Sequence, residues 1–187
     1  MKSTGHDYFG RSNDKDTLNI WVHHMKGITY FEKWEDPCDC EEPQKAMEVL
    51  GGDQWRDVYL KMTEEGVVVV GGSAITVGAA GGYTLGGGHS ANAPRHGLAV
   101  DNMLEIDVVT ADGNLVTANR CSNTDLFFAS RGGGGGTFGV TTRIVYKAHD
   151  PAPNYIRYIG NFYGNCEDCE KKLLRTFIEF IHYTEEN

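Results

Sequence analysis

Two glycine-rich segments constrain what this sequence can fold into more than any other feature. They span residues 71–90 and 131–140, and the second holds five consecutive glycines. Glycine makes up 24 of 187 residues, roughly twice the usual share, without the three-residue period of collagen. Because glycine adopts positive φ and lacks a Cβ, such segments predict loops whose backbone N–H groups approach a ligand, above all an anion. The alternative, tight turns alone, fits one such segment better than two.

Charge and hydropathy narrow the class of protein. The chain carries 17 Lys and Arg against 26 Asp and Glu, a formal net charge of -9, and 40% hydrophobic residues. This balance indicates one globular domain and argues against nucleic-acid binding, which needs a basic surface. Residues 66–94 hold no charged side chain, but so much glycine leaves them too poor in apolar side chains to span a bilayer. No leader-like segment follows Met1, so no signal peptide is expected and the compartment stays open.

The five cysteines are Cys38, Cys40, Cys121, Cys166 and Cys169, an odd number that cannot all pair internally. The first two and the last two together offer four thiolates for a zinc site. One residue separates the first pair and two the second, which matches zinc loops only weakly. Disulfides or free thiols are therefore favoured, no metal site is expected, and the pairing is left open.

Hydrophobic periodicity predicts both strands and helices along the chain. Expected strands lie at 18–22, where Leu18, Ile20 and Val22 alternate with their neighbours, and at 28–31, 67–70, 104–108, 115–118, 140–146 and 155–163. Expected helices lie at 55–62, with Asp53 as its cap and Gly66 as its stop, at 125–130 and at 173–181. Residues 35–43 read as an exposed loop, and Pro151 and Pro153 mark a boundary.

Two familiar nucleotide motifs fail on their context. No Gly-Lys-Ser or Gly-Lys-Thr of a P-loop occurs. A literal GxGxxG occurs at Gly134, Gly136 and Gly139, but an expected helix precedes it and an expected strand follows it. A dinucleotide fold has the reverse order and an acidic residue about twenty positions later. The Rossmann interpretation is therefore rejected.

Four ordered motifs, at residues 2–12, 76–90, 96–102 and 125–140, make the chain recognisable. Together they resemble the FAD-binding PCMH-type domain of the vanillyl-alcohol oxidase and berberine bridge enzyme superfamily of oxygen-dependent FAD-linked oxidoreductases. Among these the chain is most similar to fungal isoamyl alcohol oxidase-type proteins. The resemblance implies an α+β fold, the larger subdomain of the FAD-binding domain, with a mixed β-sheet and flanking helices. Residues 1–150 would form this domain without its first βαβ subdomain, and residues 151–187 the beginning of a substrate domain, so the chain is expected to be a fragment.

The resemblance also implies a cofactor, FAD, and the residues that bind it. His6 occupies the position that family members commonly bond to the flavin 8α carbon, and Ser73, Ala74 and Ile75 stand where some members carry a second, cysteine linkage, so a single linkage is expected. His89 either faces the flavin or is a satisfied structural histidine beside Ser90, and the second interpretation is favoured. The implied cofactor-binding residues are Ser3, Thr4, Gly5, His6, Asp7, Ser12, Thr76, Val77, Gly78, Gly81, Gly82, Gly88, His89, Ser90, Gly139 and Val140.

The implied reaction is hydride transfer from an alcohol-type or related small molecule to flavin N5, with reoxidation by O2 to H2O2. The family places its general base in the substrate domain, so no catalytic residue is identifiable in this chain. The implied partners are a small-molecule substrate and O2, without nucleic acid or membrane. A non-catalytic FAD-binding remnant and a zinc-dependent or structural protein remain as alternatives.

Overall fold

The computed structural model describes residues 1–39, 41–154, 161, 166 and 168–186. They divide into two compact units, Met1–Pro151 and Ala152–Asn187. The first unit contains five strands, β1 (Ile28–Trp34), β2 (Gln44–Leu50), β3 (Met103–Val109), β4 (Leu115–Asn119) and β5 (Val140–Lys147). Its helices are α1 (Trp55–Glu65), α2 (Ala93–His96) and α3 (Thr124–Ser130), with a π-helical turn at Ala79–Tyr83 and a 3-10 turn at Ala99–Asn102.

The strands form one sheet in the order β1-β2-β5-β3-β4. The α+β class is confirmed, but every paired strand is antiparallel to its neighbour in the part of the chain that the structure describes, rather than mixed in direction. The loop at residues 35–43 reverses the chain between β1 and β2, and a tight turn reverses it between β3 and β4, so these sequential neighbours pair without a parallel crossover.

One sheet face forms the core and the other is polar, as the two-residue period of a strand requires. Ile106, Ile144 and Tyr146 are fully buried in the same cluster as Trp55 of α1. On the polar face, Arg143 donates from Nε to Asp107 at 2.7 Å and from Nη1 to Glu48 at 3.1 Å, and it also pairs with Glu105. The central strand thus joins three strands of the sheet through a single guanidinium group.

Helix α1 is confirmed, and Gly66 ends it with φ 68° and a bond from its N–H to the Met62 carbonyl. The expected cap is wrong, because Gln54 occupies the N-cap position. Asp53 is buried instead and accepts a hydrogen bond from the N–H of Gly27 at 2.9 Å. Its side chain therefore fixes the entry to β1 rather than the start of the helix.

Two expected strands are wrong, for different reasons. At residues 18–22 only the last apolar residue of the alternation is buried: Val22 is 4% exposed, whereas Leu18 is 89% exposed and Ile20 is 46% exposed. This segment forms an isolated bridge between Trp21 and Lys2 rather than a ladder, and the Lys2 N–H donates to the Ile20 carbonyl at 2.8 Å. Residues 67–70 are largely buried, but they make only an isolated bridge between Val68 and His149. Conversely, β2 was missed because its Gln, Lys and Glu residues hide the apolar period.

The remaining expectations of the first unit agree with the structure. They are the strand at 28–31, the hairpin of β3 and β4, α3, β5 and the loop at 35–43. In the second unit, helix α4 (Cys169–Glu186) includes the apolar stripe at 173–181. The expected strand at 155–163 falls outside the described residues apart from Asn161. No helix among the described residues combines the length and apolarity that a membrane span requires.

Four of the cysteines form disulfides, Cys38–Cys121 and Cys166–Cys169. Three of the four sulfurs of the alternative zinc site are thereby bonded to other sulfurs rather than available as thiolates. In the described ranges no group of three His, Cys, Asp or Glu side chains is placed to hold a metal ion.

Loss of the Cys38–Cys121 disulfide is expected to destabilise the first unit. The bond closes a loop with a sequence separation of 83, so Cys121→Ser should lower the free energy of unfolding by about 2–4 kcal/mol, because the unfolded chain regains its freedom. Urea unfolding followed by tryptophan fluorescence measures the change. Cys166→Ser is the matched control, since Cys166 and Cys169 are separated by only 3. An equal effect of both substitutions would contradict the loop-closure argument.

Candidate cofactor-binding site

The first residues of the chain lie directly against the long glycine-rich loop. Ser3 donates from Oγ to the Gly51 carbonyl at 2.9 Å, and the Ser3 carbonyl accepts from Trp21 Nε1 at 3.0 Å. Thr4 Oγ1 accepts from the N–H of Gly78 at 3.0 Å. Three separate parts of the chain therefore hold this segment in place. Neither Gly51 nor Trp21 was predicted for the site; the pair of glycines directly before α1 was the available signal.

His6 meets Thr76 across 70 residues of sequence, with 2.8 Å between Nε2 and Oγ1. Both side chains belong to exposed residues. Thr76 is itself held by its carbonyl, which accepts from Gln54 Nε2 at 3.0 Å. The predicted tether and the predicted loop thus come together, while Val77 lies beneath them as a half-buried residue against the core.

Gly78 and Gly81 permit the close approach of the N-terminal segment. A Cβ on Gly78 would lie 2.1 Å from Ser3 Oγ, and one on Gly81 would lie 2.8 Å from Ser3 Cβ. Both glycines are buried. They therefore support the Ser3–Asp7 segment from below, whereas Gly82 is exposed and has open space where a Cβ would stand.

The run of five glycines packs onto the same turn from the other side. The N–H groups of Gly132 and Gly134 donate to the Leu85 carbonyl at 3.1 and 2.8 Å. A Cβ on Gly135 would lie only 2.5 Å from the Gly82 Cα atom. Glycine-to-glycine contact thus joins the two glycine-rich segments beside the N-terminal one.

The remaining predicted residues lie further along these segments. Gly88 has φ +76° and a Cβ there would lie 2.4 Å from that of Ala99. Ser90 is buried and lines a cleft of about 220 Å³. Gly139 has φ +153° and leads into Val140 at the start of β5. His89 is exposed, and among the described residues its ring has no hydrogen-bond partner, which does not support the satisfied structural role favoured above.

The Ser3–Asp7 segment has the chemistry of an anion site. Within the described residues, none of its backbone N–H groups donates to a protein acceptor, and Gly5 turns the chain with φ +87°. The carboxylate of Asp7 is engaged by Arg11 at 2.6 and 3.0 Å, and this hydrogen bonding lowers the pKa of Asp7. Nearby, Ser12 Oγ is buried without a partner among the described residues. Free amides on a glycine turn suit the pyrophosphate of FAD in a chain that is itself acidic.

The comparison with protein families identifies the domain to which these loops belong. The family model described as FAD binding domain matches residues 1–119, more than half of the chain. The chain belongs to the FAD binding domain family. Its relatives are FAD-linked oxidoreductases and VAO-type flavoproteins, and berberine bridge enzyme-like proteins are among its structural neighbours. This confirms the resemblance drawn from the four motifs.

Individual relatives of this FAD-binding domain are much longer than the chain. The FAD-linked oxidoreductase ZEB1 of Gibberella zeae is 47% identical over 149 residues, which are 80% of this chain and 26% of that protein. The VAO-type flavoprotein MtVAO615 from Myceliophthora thermophila C1 has a solved structure that matches with a TM-score of 0.76 and 40% identity, over 80% of this chain and 27% of that one. Glucooligosaccharide oxidase from Acremonium strictum, described with 8 alpha-N1-histidyl FAD, matches with a TM-score of 0.61 and 27% identity, over 71% and 26% of the two chains. The chain thus spans about a quarter of the length of these relatives.

A half-buried histidine pair lies beside Asn102 in the FAD-binding domain. The rings of His96 and His149 stack with centroids 3.9 Å apart. His149 Nε2 lies 2.6 Å from Asn102 Oδ1, and Asn102 Nδ2 donates to the His96 carbonyl at 2.9 Å. Burial, and then the neighbouring charges, lower the pKa of His149 to about 4, and burial also lowers the pKa of His96.

This pair predicts a loss of stability in acid. A histidine in the unfolded chain titrates at about 6.5. The folded state therefore binds fewer protons below that pH. The stability contributed by the two neutral histidines is complete above that pH and is lost as the pH falls toward the folded pKa. Urea unfolding at about pH 7.5 and about pH 5, on either side of that value, should show the loss in the wild type and a smaller loss in His149→Gln. The exposed His24 provides the control His24→Gln. Equal acid sensitivity of wild type and His149→Gln would refute the assignment.

Proposed function

We propose that this chain binds FAD with the pyrophosphate on the free amides of Ser3–Asp7 and the flavin bonded to His6. The observation that carries the proposal is the position of those amides. They lie on a turn that packs closely on residues 78 and 81, where only glycine fits, and they include the N–H of His6, whose ring contacts Thr76. Peptide N–H groups bind phosphate oxygens without any charged side chain. An acidic chain can therefore hold a dianionic cofactor.

The other predicted residues take their proposed roles from their places around this segment. Gly82 would lie toward the isoalloxazine and ribityl parts, with Gly88, His89 and Ser90 beyond it on the same loop, and Thr76 would act through the His6 ring that it contacts. Gly139 and Val140, at the start of β5, would meet the adenine end through the backbone. Gly78 and Gly81 act from beneath the bound cofactor, because Ser3 covers them.

Bound FAD would supply a two-electron acceptor and a centre that O2 reoxidises. We propose that the full-length protein is an oxidase of an alcohol-type or related small molecule, releasing H2O2. The names of its relatives, among them a VAO-type flavoprotein oxidase of Thermothelomyces thermophilus, support this class of reaction. The described residues of this chain contribute cofactor binding, and the general base lies in the substrate domain of the longer protein.

Refolding in the presence of excess FAD tests the proposal. After gel filtration, we expect yellow protein with a flavin absorption band and one flavin per chain. Peroxide release with a panel of small alcohols then separates an oxidase from a non-catalytic FAD-binding remnant. Soluble, folded protein that stays colourless at every FAD concentration would overturn the proposed function.

A further inference from the structure

We propose that Thr76 is a positioning residue for flavin attachment: its hydroxyl holds Nε2 of His6, so that Nδ1 is the nitrogen that bonds to the flavin 8α carbon. This inference rests on the proposed function. It assigns to Thr76 a role toward the histidine ring rather than toward FAD itself. The separation of 2.8 Å between Nε2 and Oγ1 is that of a direct hydrogen bond.

The contact is built into the loops around it. Thr4, two residues before His6, binds the N–H of Gly78, two residues after Thr76, at 3.0 Å. The two bonds join residues 4–6 to residues 76–78, and these two short segments run antiparallel to each other. The Thr76 carbonyl is tied in turn to the Gln54 side chain at 3.0 Å. The hydroxyl therefore stands at a fixed place, and the ring that it holds cannot turn over without breaking the bond.

The carboxylate next to His6 in the sequence is engaged elsewhere. Asp7, the neighbour of His6, gives its two oxygens to Arg11, at 2.6 and 3.0 Å from the guanidinium and 2.8 Å from the backbone N–H. Among the described residues, Thr76 is the one hydrogen-bond partner of the His6 ring. A neutral hydroxyl can accept a hydrogen bond from Nε2–H and leave Nδ1 unprotonated, and the hydrogen bond that one ring nitrogen makes sets which of the two carries the proton.

This tautomer is the reactive one for bond formation. With the proton on Nε2, the lone pair of Nδ1 is free to form the N–C bond as the 8α methyl group gives up a proton, and the imidazole then loses its own proton. The isoalloxazine ring gains two electrons, and O2 accepts them with the two protons to give one H2O2 per bond formed. Without the hydroxyl, the Nδ1-protonated tautomer and other ring orientations compete, and both are unreactive.

Threonine variants of the full chain test the role. Thr76→Val keeps the shape of the side chain and removes the hydroxyl, Thr76→Ser keeps the hydroxyl, and Thr63→Val on the exposed side of α1 is the matched control. Apoprotein is mixed with FAD in air, and acid-precipitated flavin is measured over time beside the rapid non-covalent binding. We expect Thr76→Val to attach flavin about fivefold to tenfold more slowly, which corresponds to the loss of one hydrogen bond, with unchanged non-covalent affinity. Thr76→Ser and Thr63→Val should attach it at the wild-type rate.

A second readout does not involve FAD. In ¹⁵N-histidine spectra of the apoprotein, with the His6 signals assigned from their loss in His6→Ala, the wild type should show the Nε2–H tautomer of His6 and Thr76→Val a mixture of both. Wild-type attachment rates in Thr76→Val, or an unchanged tautomer, would overturn the inference. A weaker non-covalent affinity of Thr76→Val would overturn it in favour of a direct contact with FAD. Wild-type protein that binds FAD without attaching it refutes this inference and leaves FAD binding intact, whereas protein that binds no FAD refutes the proposed function.

Discussion

His6→Ala is expected to abolish acid-stable flavin completely while the protein still takes up FAD reversibly. The alanine removes the ring but leaves the backbone N–H groups of Ser3–Asp7 in place, and these form the proposed pyrophosphate site. Trichloroacetic acid precipitation after reconstitution should give a colourless pellet and a yellow supernatant. The wild type should give the reverse.

A histidine outside the site provides the control for this result. His24 is exposed, and His24→Ala should keep the coloured pellet of the wild type. Because the resemblance places Ser73, Ala74 and Ile75 at the position of the second linkage, we expect a single substitution to suffice. A coloured pellet from His6→Ala would show that another side chain forms the bond.

Gly135→Ala is expected to destabilise the first unit and to weaken FAD binding together. Its Cβ would lie 2.5 Å from the Gly82 Cα atom and 3.0 Å from the Gly82 nitrogen, and backbone atoms cannot rotate away as a side chain can. Overpacking of this kind costs about 1–3 kcal/mol of unfolding free energy. Urea unfolding of the apoprotein and titration with FAD measure the two effects.

Gly82→Ala is the matched control on the opposite side of the same contact. A Cβ at Gly82 meets no described atom within 4 Å, and the residue does not have a positive φ. Its unfolding free energy should therefore stay within about 0.5 kcal/mol of the wild type, as for an ordinary surface position. Similar stability of Gly135→Ala and Gly82→Ala would show that the two glycine-rich segments do not need to touch.

Local signals predicted those elements whose apolar residues face one continuous core. Helix α1 carries Trp55 and Val58 on its buried side and ends at a glycine, and the β3-β4 hairpin turns at an Asp-Gly-Asn sequence. Residues 18–22 have a strand-like alternation, but Leu18 and Ile20 are exposed and the segment makes only an isolated bridge, so the same signal misled. In β2 the polar side chains at Gln44, Lys45 and Glu48 masked a strand that lies inside the sheet, between β1 and β5.

The candidate site was predictable as a set of residues but not as an arrangement. Motif order identified His6 and Thr76, yet their bond joins residues 70 positions apart, and no local propensity encodes such a contact. The same holds for Gly135 on Gly82 and for Ser3 on Gly51. Each of these contacts depends on how the whole sheet brings its loops to one edge, which is a property of the tertiary fold.

The joining of residues 1–7, 76–82 and 132–136 at one place also sets the order of events during synthesis. The ribosome releases His6 early, but Gly135 must leave the exit tunnel before it can pack on Gly82 and complete the turn that supports the histidine. Contacts of such long sequence separation form late in folding. In the proposed function, FAD capture therefore waits until residues 132–136 have left the ribosome and packed on residues 76–82, and the colour of the protein reports on molecules in which this packing is complete.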